Sequence, residues 1–127
     1  MSAASQRISI RKWSGGQHPS YSSITRMLET EGLRPFRWND PANRQYPVRS
    51  HGYGKVLMVL EGALELTFPD QNQVVKLSPG DRADIPAGVR HGLIASGRGV
   101  TCIEAATSGN GSTRRTQEIP PVKPQGR

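Results

Sequence analysis

An all-β sandwich or barrel is the fold the sequence predicts, and two observations predict it. Gly (14) and Pro (10) are abundant among the 127 residues while aromatics make up 6%, a mixture that favours short strands joined by tight turns over long helices. From residue 56 onward, short apolar segments recur at near-regular spacing, at 56–60, 63–68, 74–77, 82–85, 91–94 and 100–105. Turn formers separate them: Glu61-Gly62, Pro69-Asp70-Gln71-Asn72, Pro79-Gly80-Asp81, Pro86-Ala87-Gly88 and Gly97 to Gly99. That rhythm of strand and turn belongs to sandwiches and barrels. The chain length suits one domain, whose core must be shared by nearly all of these segments.

Upstream, residues 8–13 alternate apolar and polar side chains and read as a strand, which Gly15-Gly16 ends. A helix is expected over about 20–31, with His18 and Pro19 as its cap and first residue, Ile24, Met27 and Leu28 at helical spacing, and Gly32 as its stop. A second strand is expected at 33–38 and a loop from Asn39-Asp40-Pro41 to Pro47. Beyond Thr107 the chain has no apolar periodicity and carries Pro120-Pro121 and Pro124, so 108–127 is expected to be a disordered tail. The organisation predicted is a strand-helix extension over 1–43, a barrel over 44–107 and a basic, Pro-rich tail over 108–127.

The formal charge of +7 raises the question of nucleic acid, but the charge is concentrated at the ends. Arg7, Arg11 and Lys12 supply three positive charges, and Arg114, Arg115, Lys123 and Arg127, less Glu118, supply a net three more. A near-neutral body with basic tails gives weak, nonspecific attraction to polyanions and lacks the patterned basic face of a base reader. No specific nucleic-acid partner is expected. The longest apolar run, 56–60, is far shorter than the ~20 residues that span a bilayer, and the N-terminus lacks the apolar stretch of a secretion signal. Cys102 is the only cysteine, so no intrachain disulfide forms and a cytoplasmic location is expected. No base lies near Cys102 in sequence, which reads it as core and not as a nucleophile.

Gly80, Pro86, Gly88 and His91 stand at the spacing Gly-x5-Pro-x-Gly-x2-His. With two turns bracketing a strand, His91 begins the return strand and can point inward. This spacing resembles the second motif of the cupin superfamily, in the small single-domain, RmlC-like type. Counting back from Gly62 aligns the first cupin motif, His-x-His, three or four residues, Glu, six residues, Gly, so that Arg49 and His51 take the two His positions and Lys55 the Glu position. Residues 49, 51 and 55 differ by even steps, so on an extended chain their side chains share one face. The resemblance covers about 44–106. It implies a double-stranded β-helix, the cupin jelly-roll barrel, here with a short N-terminal strand and helix, and a homodimer whose outer sheet face is shared.

In cupins with a metal, three His and one Glu surround a divalent ion such as Fe, Mn, Zn or Ni. This sequence departs from that set at two of four positions. Arg49 keeps its proton at neutral pH and Lys55 would have to lose one, so both place positive charge beside an incoming cation. His51 and His91 remain, and a third protein ligand would have to come from Glu104, Glu61 or His18. Taken at face value, Arg49, His51, Lys55 and His91 suit a small carboxylate or phosphate, and a desolvated Lys55 could also act as base or imine-forming nucleophile. The expected function is therefore binding of a small anionic metabolite without an essential metal. The alternatives are a metal-dependent dioxygenase, isomerase or decarboxylase using His51 and His91, and an interaction module. The plainer reading of each residue also stands: His51 and His91 as pocket lining, Arg49 pointing outward to Asp40 or Glu61, Lys55 reaching the barrel mouth, and Trp13 and Trp38 as core or dimer surface.

Overall fold

The computed structural model describes residues 7–107. Seven strands and one α-helix follow in the order β1 (Ser9–Arg11), α1 (Tyr21–Thr30), β2 (Phe36–Asp40), β3 (Gln45–Arg49), β4 (Lys55–Phe68), β5 (Gln73–Leu77), β6 (Arg82–Ile85) and β7 (His91–Ala106). The tail expected at 108–127 lies outside the described residues.

Two long strands organise everything else. The segments expected separately at 56–60 and 63–68 are the halves of β4, and those at 91–94 and 100–105 are the halves of β7. Glu61-Gly62 is a bend and not a chain reversal, because the β4–β7 register shifts between Val59 and Glu61 and again between Gly62 and Leu64. Such bulges insert unpaired residues, bend the strand and increase its twist. The first half of β4 runs between β6 and β7, and the second half between β5 and β7. Similarly, β7 pairs first with β3 and then with β2. All pairings are antiparallel, and β1 joins β6 at one edge. Two layers thus share β4 and β7, one being β1-β6-β4-β7-β2 and the other β5-β4-β7-β3. This is the jelly-roll arrangement expected.

Burial follows from the alternation of side chains along the strands and from the bend. Before the bulges, Leu57 and Val59 face the interior; after them, Leu64, Leu66 and Phe68 do. With Leu77, Ala83, Ile85, Leu93, Val100 and Cys102 they fill the space between the layers. The opposite face of the first half of β4 carries Val56, Met58 and Leu60, which pack with Ile103 and Ala105 of β7 against Ile24 and Leu28 of α1. That half of β4 is therefore buried on both faces, which is why 56–60 reads as a continuous apolar run.

The helix begins at Tyr21, two residues later than Pro19 as its first residue suggested. Ser20 is its cap, its Oγ accepting from the Ser23 amide at 3.0 Å while the Ser23 hydroxyl accepts from the Ser20 amide at 3.2 Å. At the other end, Gly32 N–H donates to Glu29 O and Leu33 N–H to Leu28 O, the paired bonds that close a helix C-terminus. The loop expected across 39–47 is shorter than anticipated. β2 continues through Asp40, residues 41–44 make the connection, and β3 then runs through Pro47. Proline is tolerated there because β3 pairs with β7 on one side only, leaving an edge that needs no donor.

Candidate functional site

The turns of the Gly-Pro-Gly-His spacing do what their residue types require. Ser78 to Asp81 is a tight turn closed by Asp81 N–H to Ser78 O at 2.9 Å, with Pro79 and then Gly80 in the middle, and Gly80 has φ +89°, the conformation that a second central residue of this turn type demands. Pro86 to Val89 repeats the device with Gly88 at φ +83°. Gly88 also donates its amide to His51 O at 2.8 Å. That bond ties the second motif to the first and carries His51 to the end of the barrel where β7 begins.

Three strands converge at this end. Arg49 closes β3 opposite His91, the first residue of β7. Between Tyr46, opposite Leu93, and Arg49, opposite His91, β3 spends three residues where β7 spends two. This bulge at Pro47 and Val48 turns Arg49 to the same side as Tyr46, which packs on the interior cluster. Lys55 starts β4 on the same face as Leu57, and Leu57 lies opposite Glu104. Lys55, Glu104, Arg49 and His91 consequently share the barrel's inner face. The sequence left the direction of Glu104 undetermined; its pairing with Leu57 and Phe36 settles it.

His91 is buried, at 5% exposure. Its Nδ1 lies 3.0 Å from Val89 O, and since a carbonyl only accepts, Nδ1 carries the hydrogen and Nε2 keeps the lone pair. Burial holds its pKa down at about 4, the ammonium of Lys55 and the guanidinium of Arg49 push the same way, and the Val89 hydrogen bond and Glu104 oppose them. His91 is therefore neutral at pH 7. Its ring centroid is 5.6 Å from that of His51 and 6.3 Å from that of Phe68, and His51 in turn stacks on Tyr53 at 5.1 Å.

Lys55 and Glu104 are buried to nearly the same degree, at 9% and 8% exposure, and form an ion pair with Nζ 3.6 Å from Oε2. That separation is too long for a hydrogen bond. Among the described residues the Lys55 ammonium has no other polar partner. The other oxygen of Glu104 accepts from the indole Nε1 of Trp38 at 2.8 Å, so Trp38, expected only as core or dimer surface, orients the carboxylate. Its pairing with Cys102 across β2 and β7 puts it beside the site, a relation between strands distant in sequence that local pattern could not supply. Farther inside, Tyr46 OH donates to Asp40 Oδ1 at 3.1 Å. Cys102 is fully buried, and burial, with the carboxylates of Glu104 and Asp40, pushes its thiol pKa well above the usual value. It stays protonated and serves as core.

The other two arguable ligands lie elsewhere. His18 Nε2 is 3.9 Å from Glu61 Oε2 on exposed side chains, and Glu61 is six residues along β4 from Lys55, roughly 20 Å at strand rise. Arg49 is exposed.

The family model for the cupin domain matches residues 36–103, from β2 to the last strand. The chain belongs to the cupin family. No curated protein matches its sequence. Among solved structures, it is similar to an RmlC-like cupin from Shewanella frigidimarina, with a TM-score of 0.53 at 20% identity over 61% of this chain and 68% of that one. It is also similar to the polyketide cyclase RemF from Streptomyces resistomycificus, with a TM-score of 0.54 at 22% identity over 67% and 63% of the two chains. A DUF861 family protein from Thermotoga maritima is covered completely by 80% of this chain, at 17% identity and a TM-score of 0.54. Such identities establish the shared fold and leave function to the site itself.

The metal that many cupins hold does not fit this cupin's side chains. Two imidazoles stand together, but the remaining positions of the ligand set carry Arg49 and Lys55, and the one nearby carboxylate faces the Lys55 ammonium with one oxygen and Trp38 with the other. Among the described residues no three His, Cys, Asp or Glu side chains are grouped to hold a metal ion. A protein site for a transition metal needs at least three such donors.

Proposed function

We propose that this cupin binds a small anionic metabolite, a carboxylate or phosphate, at the end of its barrel, with Arg49 and Lys55 as the charged contacts and His51 and His91 as hydrogen-bonding walls. The observation that carries the reading is Lys55. Its ammonium has three donors, its side chain is 11% exposed, and it meets one carboxylate at 3.6 Å. Arg49 and Lys55 supply two positive charges against one negative charge on Glu104, with His91 neutral, so an anion would balance the site and satisfy the unused donors. Arg49, exposed at the mouth, offers a planar fork suited to a carboxylate.

Thermal unfolding in the presence of malonate, citrate or phosphate, against chloride at matched ionic strength, tests this. A ligand present at about 100 times its Kd stabilises the native state by about 2.7 kcal/mol, which raises Tm by several degrees in a domain this size. The rise is expected with at least one of these anions and is expected to vanish in Arg49→Ala, whose exposed side chain contributes little to folding. A shift of equal size in Arg49→Ala, or none with any anion, would sink the reading.

A cytoplasmic homodimer belongs to the same proposal. Nothing in the chain needs an oxidising compartment, and Val48 and Val74, 42% and 64% exposed, lie on β3 and β5, the edge strands of the second layer, where a second copy would cover them. Sedimentation equilibrium is expected to give twice the 13.9 kDa of one chain; a mass of one chain at micromolar concentration would refute the dimer.

A further inference from the structure

We infer that the Lys55–Glu104 ion pair stands in for the divalent ion and carboxylate of metal-holding cupins, so that this barrel carries its cation on its own chain, and that the side chains at 49 and 55, which put positive charge where two donors would be needed, exclude a transition metal. The inference goes beyond the anion-binding reading and holds whether or not an anion binds.

All four positions of the ligand set are still gathered. Arg49 is directly opposite His91 in the β3–β7 ladder, the His51 and His91 rings are 5.6 Å apart, and Lys55 lies on the inner face, reaching Glu104 on the adjoining strand. The bulge that turns Arg49 inward and the Gly88–His51 hydrogen bond that seats the loop are features of the main chain, so they survive replacement of the side chains. His91 is already in the state a ligand needs, neutral with its Nδ1 hydrogen given to Val89 O and the Nε2 lone pair left over.

What opposes a metal is charge added to the loss of two donors. A dication entering beside the Lys55 ammonium and the Arg49 guanidinium meets repulsion in a region of reduced dielectric, where charges interact far more strongly than in water. It also finds Glu104 engaged, with one oxygen held by Trp38 and the other facing Lys55. Because the pair is internally neutral, it can remain buried where an isolated ammonium could not. The sequence alone displays the loss of two ligands; only the structure reveals that Glu104, from a different strand, supplies the counter-charge that makes Lys55 tolerable there.

The inference predicts that two substitutions convert the barrel. Cobalt(II) is the probe, followed by its visible absorption and by equilibrium dialysis, in the natural protein and in Arg49→His/Lys55→Glu and Arg49→His/Lys55→Gln. The second pair covers the case in which a carboxylate at 55 repels Glu104 and prevents folding; with Gln there, Glu104 is released as the acidic ligand. The natural protein is expected to take up no cobalt that depends on His91. At least one folded double variant is expected to bind about one ion per chain at an affinity on the order of 100-fold or more above the natural protein, and adding His91→Ala is expected to remove it. Stoichiometric, His91-dependent cobalt in the natural protein would overturn the inference, as would double variants with natural circular dichroism and no bound cobalt. A failure of malonate or phosphate to stabilise the protein leaves these outcomes unchanged, so the two proposals fail separately.

Discussion

Replacing Arg82 with methionine is expected to lower the free energy of unfolding by about 3 kcal/mol, within the range for breaking a buried ion pair. Arg82 leaves the outer face of β6 beneath the end of α1. Its Nη1 and Nη2 meet the two oxygens of Glu31 at 2.7 and 2.9 Å, and its Nε and Nη2 meet those of Asp84 at 2.8 and 3.0 Å. These are two forked, charge-assisted contacts on one guanidinium that is 5% exposed. The Glu31 hydrogen bonds, followed by those of Asp84, push the Arg82 pKa further upward, and the same contact with Arg82 holds Glu31 below its ordinary value. Glu31 is the C-cap of α1, so the cluster ties the helix end to the sheet whose outer face it covers. Methionine would keep part of the apolar stem but leave two carboxylates facing each other. Since the Glu31 and Asp84 side chains are 40% and 32% exposed, water recovers part of the loss, which places the expected effect at the lower end of that range. Urea unfolding measures it. Adding Glu31→Gln and Asp84→Asn to Arg82→Met is expected to restore most of the stability, because the uncompensated charge is then gone. A loss below about 1 kcal/mol in Arg82→Met would put the cluster on a par with ordinary surface pairs.

The fold was legible because its signals are local. Turn residues at regular intervals, and the Gly80, Pro86, Gly88 and His91 spacing, encode backbone geometry directly, and the structure places φ +89° and +83° at those two glycines. What local pattern obscured was continuity. Glu61-Gly62 and Gly97 to Gly99 have turn composition, yet each is a bend within one long strand, because pairing to β7 or β4 on both sides of the bend keeps the chain extended. β3 was missed since Asn43, Pro47 and their neighbours favour turns, and the ladder to β7 overrides that preference at a sheet edge. In the site, sequence spacing located Arg49, His51, Lys55 and His91, but their partners come from afar: Glu104 is 49 residues from Lys55 and 66 from Trp38. Charge at position 55 looks like a simple loss of a ligand until the strand order brings its counter-charge alongside.

Acidification from pH 6.5 to pH 4 is expected to remove about 3 kcal/mol of stability through His91. In the unfolded chain an imidazole takes up its proton near 6.5, whereas in the folded chain burial, reinforced by Lys55, delays protonation of His91 to about 4. Between those values the unfolded state binds more protons than the native state, so the native state loses stability as the pH falls through the window, and below about 4 this contribution levels off. Glu31 and Asp81 act lower down. Asp81 is raised by burial, but hydrogen bonds from Lys12 and from the amides of Ser78 and Trp13 more than offset this and hold it below 3.8, while Glu31 is held below 4.5; their loss of stabilisation begins only as the unfolded carboxyls start to protonate. The groups facing His91 leave it little relief: the Lys55 ammonium and the Arg49 guanidinium repel a second positive charge, and Glu104, which favours it, already faces Lys55. Urea unfolding at pH 7, 6, 5 and 4.5 in the natural protein and in His91→Asn separates this effect from the other histidines, which both proteins share. The natural protein is expected to show the steeper decline, and parallel curves would mean that His91 gains its proton in the folded state as readily as in the unfolded chain. An anion seated between Arg49 and Lys55 would offset the charge that repels that proton and bring its uptake in the folded state closer to that of the unfolded chain, so the same titration in saturating malonate is expected to give a shallower decline that levels off at higher pH, tying the protonation of one imidazole to occupancy of the barrel.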